Sequence, residues 1–181
     1  MRTVSDPPTL VAQKTSSWCF AAAEVMVRAY YGLPKLTQYE IARASTEALS
    51  KVQFGLGERW ELAMALDRSL GATEDGGENP NSHIANLVRG QWHSFNHEAI
   101  GGRFIANVSW ANVQEEIDND RVFVVGSDIH YYVVFGYTEE SGGKWLYVLD
   151  PWPAGKGGEK SALSFAVLKA TDGHACIVFG G

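Results

Sequence analysis

Gln13-Lys14-Thr15-Ser16-Ser17-Trp18-Cys19-Phe20-Ala21-Ala22-Ala23 is the stretch on which the reading of this chain turns. From Trp18 to Tyr31 the sequence is Ala-rich and apolar, with few residues that break a helix, until Gly32 and Pro34 stop it. This predicts a buried helix with Ser16 or Ser17 as its N-cap. A cysteine in the first turn of such a helix meets unpaired backbone N–H groups and the positive end of the macrodipole. Both favour thiolate, the reactive form of the side chain. Gln13 lies upstream on a loop that can fold its amide back beside the thiol. A fixed amide donor there, with the Cys19 backbone N–H, would make an oxyanion hole. Taken alone, the stretch is equally well read as a buried cysteine in an Ala-rich helix.

A second stretch breaks that tie. Gly126-Ser127-Asp128-Ile129-His130-Tyr131-Tyr132-Val133-Val134-Phe135-Gly136-Tyr137 places a histidine at the start of an apolar strand, where a cleft can form at the end of a sheet. Tyr147-Val148-Leu149-Asp150-Pro151-Trp152-Pro153 closes the next strand, which a Gly142-Gly143 turn joins to the first. Antiparallel pairing would bring His130 and Asp150 to one end of the hairpin. Asp150 would accept from one ring nitrogen while the other faces Cys19. Pro151 biases Asp150 to an extended conformation and ends the strand.

Gln-x5-Cys at a helix start, His opening a strand and Asp closing the next strand together resemble the papain-like cysteine peptidases. The Trp-Cys-Phe-Ala-Ala and Leu-Asp-Pro-Trp wording is most similar to their compact bacterial branch. That branch includes the bacteriocin-processing peptidase domains of transporters and papain-like effector proteases. The resemblance implies Gln13 as oxyanion glutamine, Cys19 as nucleophile, His130 as general base and acid, and Asp150 as the group that orients His130. It also implies Trp152 as the aromatic shielding the His130–Asp150 pair. Where members often have small residues, Ile129 and Tyr131 flank the histidine, and Trp18-Cys19 reverses the usual order. The implied activity is hydrolysis of peptide bonds through a thioester on Cys19, needing neither cofactor nor metal, on a protein or peptide substrate. The same set would serve an amidase, a deamidase or a transglutaminase-like acyl transferase. A non-catalytic binding module on the same fold is a further alternative, against which the intact set argues.

The rest of the chain fits an α+β, papain-like fold: helices come first, then strands. We expect one domain over 1–181, with a helical lobe over about 1–100 packed on an antiparallel sheet lobe over about 101–181. Asp6-Pro7-Pro8 makes an extended arm of the N-terminus. Thr37-Gln38-Tyr39-Glu40 has capping-box spacing and opens a helix through about Ser50. Trp60 to Leu70 has helical spacing, 71–82 reads as a loop, and 83–97 is ambiguous. Ser109 caps a helix through Asn119. Val122 to Val125, Tyr131 to Tyr137, Lys144 to Leu149, Ser164 to Leu168 and Cys176 to Phe179 read as strands.

Composition bounds the partners. The 181 residues are 45% hydrophobic and 20% charged, with a net charge of −6. An acidic chain argues against nucleic acid, whose phosphates need concentrated Lys and Arg. No apolar run is long enough to span a membrane. The first residues hold no signal-peptide core, so the expectation is a cytoplasmic chain, one exported without a classical signal, or one whose leader lies upstream. Oligomeric state leaves no mark on the sequence. Cys19 and Cys176 would allow one disulfide, and a reduced pair with unequal roles fits as well. His93 and His97 have i, i+4 spacing, with Glu98 or His83 as a third ligand, but nothing completes a known metal geometry. A solvated or cleft-lining surface is expected there. Gly173-His174-Ala175-Cys176 repeats the histidine-strand wording, but no Asp or Asn follows His174, so a last core strand is expected.

Overall fold

The computed structural model of the chain describes residues 1–15, 18–52, 95–127, 130–153 and 157–180. The Trp60 to Leu70 helix, the 71–82 loop, His83, His93 and Ile129 lie outside them. Helix α1 spans Cys19–Tyr30 and α2 spans Gln38–Val52. A short 3-10 turn at Glu98–Ile100 leads into strand β2, Gly102–Ala106, and then helix α3, Trp110–Asp118. Strands β3 (Phe123–Ser127), β4 (His130–Glu140), β5 (Gly143–Asp150) and β6 (Glu159–Ser164) follow, then helix α4 (Phe165–Ala170) and strand β7 (Ala175–Phe179). Residues Arg2–Thr3 form strand β1.

The described strands join one antiparallel sheet in the order β2-β7-β3-β4-β5-β6, with β1 paired to β4. The β3–β4 register runs from Phe123 opposite Val134 to Ser127 opposite His130. On the other side of β4, Val133 faces Leu149, so β4 begins where β5 ends. Hairpin closure requires Gly126, because a Cβ there would lie 2.0 Å from the His130 carbonyl oxygen. Strand β4 thus carries His130 at its tip with β3 and β5 fixed on either side.

Helix α1 packs against β4 and α2. Ala21, Ala22 and Ala23 are fully buried, and their small side chains let the helix backbone come close to its neighbours. The Phe20 ring stacks on Phe95 at 4.4 Å. The helix ends in a Schellman motif: Gly32 is left-handed at φ 63°, its N–H donates to Ala29 O, and the Leu33 N–H donates to Arg28 O.

Two caps follow the sequence closely. The Thr37 N–H donates to the Glu40 carboxylate at 2.7 Å, and the Glu40 N–H donates to Thr37 Oγ1 at 3.1 Å. Ser109 and Asn112 make the same reciprocal box at α3. Two expectations change. The N-cap of α1 is Trp18, with no side-chain cap bond, and Ser16 and Ser17 lie outside the described residues. Ser164 to Leu168 is not a strand: Ser164 ends β6 and caps α4, accepting from the Val167 N–H. That helical turn puts Leu168 in the core and leaves Val167 exposed. Strand β2, with only Phe104 and Ile105 as large apolar residues, gave no signal of its own and forms by pairing with β7.

Candidate active site

Three elements end at one place. Cys19 is the first residue of α1, His130 the first of β4 and Asp150 the last of β5. His130 Nε2–H donates to Asp150 Oδ1 at 2.6 Å. The Trp152 backbone N–H donates to the same oxygen at 2.9 Å and so fixes the carboxylate. With Nε2 committed to Asp150, Nδ1 is the ring nitrogen left for Cys19, which is within hydrogen-bond contact of the imidazole. The Cys19 side chain is buried and its thiol is free.

Opposing effects set the charge of His130. Burial lowers its pKa, while hydrogen bonds to Asp150 and Cys19 and the negative charges of both raise it; the balance pushes it up to about 9. The balance therefore favours the protonated imidazole. The Tyr132 ring meets the imidazole edge-on at 4.6 Å. Tyr131, beside the histidine, turns into the core: its ring lies 6.2 Å from Phe20, and its hydroxyl donates to Phe95 O.

Gln13 is almost wholly buried. Its Nε2 donates to Thr15 O at 2.8 Å, and the Trp18 N–H donates to the same carbonyl at 3.4 Å. The amide thus lies at the entrance to α1, beside the residue that precedes Cys19. One of its two N–H groups suffices for Thr15, which leaves the second as a donor. The Gln13 main-chain N–H donates to Pro151 O at 2.9 Å, tying the loop to the residue after Asp150. Gln38, which the sequence presented only as part of a capping box, brackets Gln13 by bonding to Ala12 O and the Lys14 N–H.

The remaining candidates stand apart. Cys176 is free and buried in β7, and burial pushes its thiol up to about 12, so no disulfide joins it to Cys19. His174 Nδ1 pairs with Thr171 O just before β7. Trp152 is 49% exposed, and the group it brings to Asp150 is its backbone N–H. His97 is not on a solvated surface: it is buried, with Nδ1 3.0 Å from Glu24 Oε2, and Glu24 also pairs with Arg28 at 2.8 Å. Burial raises the Glu24 carboxyl pKa, but His97 and Arg28 outweigh it and hold the pKa down. Among the described residues, no cluster of three or more His, Cys, Asp or Glu could hold a metal ion, and no helix is long and apolar enough to cross a membrane.

Comparison with known proteins bears on the family. The crystal structure of UfSP from C. elegans is similar in fold, with a TM-score of 0.51 over 98% of this chain at 15% identity. This chain covers 33% of that one, so the likeness concerns a third of the larger protein. No curated protein matches the sequence. The Peptidase_C39 like family matches residues 8–172, a range that takes in Gln13, Cys19, His130 and Asp150. The chain therefore belongs to the Peptidase_C39 like family and, with its N-terminal helices on an antiparallel sheet, to the papain-like cysteine peptidase superfamily.

Proposed function

We propose that the chain is a cysteine peptidase that cleaves peptide bonds in protein substrates through a thioester on Cys19. The observation that carries this reading is the commitment of His130 Nε2 to Asp150 at 2.6 Å while the same ring hydrogen-bonds Cys19 at the start of α1. The Cys19 proton passes to His130 Nδ1, and the thiolate attacks the carbonyl carbon of the scissile bond. The oxygen that becomes negative accepts from the Cys19 backbone N–H, in the first turn of α1 where N–H groups lack intrahelical partners, and from Gln13 Nε2–H. As the C–N bond breaks, the imidazolium returns its proton to the leaving amine. Water then attacks the thioester, with His130 accepting its proton and the Cys19 thiol regenerated as the acid product leaves. Asp150 holds the ring orientation through both halves.

The test is incubation of the protein with a mixture of denatured proteins, followed by mass spectrometry of new amino termini. Wild type generates them and Cys19→Ala does not. Ammonia or cross-links without new termini would move the reading to an amidase or acyl transferase. No product of any kind would overturn the enzyme reading.

A further inference from the structure

We infer that Gln38, at the start of α2, is a positioning residue that holds the Gln13 amide at the oxyanion site; this inference rests on the peptidase reading above. One side-chain amide satisfies both peptide groups that flank Gln13. Gln38 Nε2 donates to Ala12 O at 2.8 Å, and the Lys14 N–H donates to Gln38 Oε1 at 2.9 Å. The pair of bonds has the polarity of a strand partner, supplied by a side chain. The Gln13 N–H meanwhile donates to Pro151 O at 2.9 Å. The Gln13 main chain is therefore gripped from α2 on one side and from the end of β5 on the other.

The grip is stiff at its base. Gln38 follows Thr37 and lies inside the Thr37–Glu40 capping box, which fixes the first turn of α2. It is buried, at 5% exposure, so water competes little for its amide. Only an amide of this length supplies both a donor and an acceptor. A glutamate keeps the acceptor but sets a carboxylate oxygen against the Ala12 carbonyl, and a methionine of similar shape supplies neither. Catalytic donors misplaced by about an ångström lose roughly 10²-fold in rate. The position of the Gln13 amide therefore depends on a residue that touches neither substrate nor thiol.

Two reactions of Cys19 separate positioning from mere folding. Acylation by 4-nitrophenyl acetate forms the Cys19 Sγ–acetyl bond, breaks the ester C–O bond and releases 4-nitrophenolate through a tetrahedral oxyanion. Alkylation by iodoacetamide displaces iodide at a saturated carbon and develops no oxyanion. Measured on the intact chain at one pH, Gln38→Met should slow acylation by roughly 10–100-fold while alkylation stays within about twofold. Gln38→Glu, which keeps the Lys14 bond, should fall between Gln38→Met and wild type, and it carries the test if Gln38→Met does not fold. Unchanged acylation, or an equal fall in both reactions, overturns the inference. Gln13→Ala distinguishes the two layers. If it fails to slow acylation selectively, the oxyanion reading itself is wrong. If it does so while the Gln38 variants do not, only the role of Gln38 is lost.

Discussion

His130 concentrates the electrostatics of the site in one ring. Burial alone would keep the imidazole neutral near pH 7, yet Asp150 and Cys19 outweigh it and raise the pKa to about 9. Because the folded value lies above the ordinary one of about 6.5, the protonated ring stabilises the fold. That contribution is complete below about pH 6.5 and is lost as pH rises through about 9. The His130 ring resonance, followed by NMR against pH, should titrate with a midpoint near 9, and Asp150→Ala should move that midpoint down. Denaturant stability of wild type should fall between pH 7 and pH 9 more steeply than that of Asp150→Ala. A wild-type midpoint at or below the ordinary histidine value would mean that burial wins and that no ion pair forms. Cys19, His130 and Asp150 were legible as a group because each carries a positional signature: a helix start, a strand start and a strand end before proline. Gln38 was not, because an amide that bonds backbone groups 24 and 26 positions away leaves no spacing to recognise.

Helix α1 does more than present a cysteine: it also buries a carboxylate. Glu24 Oε1 accepts from Arg28 Nε at 2.8 Å, Glu24 Oε2 pairs with His97 Nδ1, and Arg28 Nη1 donates to Pro34 O. The network joins α1 to the left-handed residue that opens the 3-10 turn before β2 and to the loop leading into α2. Removing one member of a buried charge cluster strands the others without compensation, at a cost of about 3–5 kcal/mol. Glu24→Ala should therefore lower the urea midpoint by that equivalent at unchanged m-value, and His97→Ala in the same background should add little further. A loss below about 1 kcal/mol would show that the cluster is solvated and weak. Elements with local signatures were readable, as in the Thr37–Glu40 capping box, the Ser109 cap and the Gly32 stop. Tertiary contacts decided the others. His97 read as part of a solvated or cleft-lining surface, but it is buried on a partner 73 positions away. Ser164 to Leu168 looked β-like, but Ser164, the last β6 residue paired with β5, caps α4 with its side chain and turns the chain into a helix.

Across the whole molecule, the N-terminal arm links the middle of the sheet to the end that carries the candidate site. Arg2 and Thr3 pair with Tyr137 and Gly136, and the Val4 N–H donates to Phe135 O at 2.9 Å with the Val4 side chain buried. Ser5 then bonds Asp120 through its N–H and its hydroxyl. Further on, the Val11 N–H meets Met26 Sδ, and Gln13 reaches Pro151. Two of these fastenings lie at opposite ends of the arm: the first on β4 through backbone pairing, the second at the candidate site through Pro151 and Gln38. The first fastening depends on Gly136, where a Cβ would lie 2.6 Å from Arg2 O and 2.8 Å from Thr3 Cγ2. Gly136→Ala must push β1 off β4, an overpacking cost of about 1–3 kcal/mol. At this chain length each kcal/mol corresponds to roughly 2–4 °C in Tm. Hydrogen exchange at the Val4 N–H should accelerate in the variant. Acylation of Cys19 should stay near the wild-type rate, because the second fastening holds Gln13 without the first. Wild-type protection at Val4 would mean that the arm tolerates the methyl and that β1 is not held by close approach. A fall in acylation as large as that of Gln13→Ala would mean instead that the two fastenings act as one, with strand pairing at β4 setting the geometry of the site.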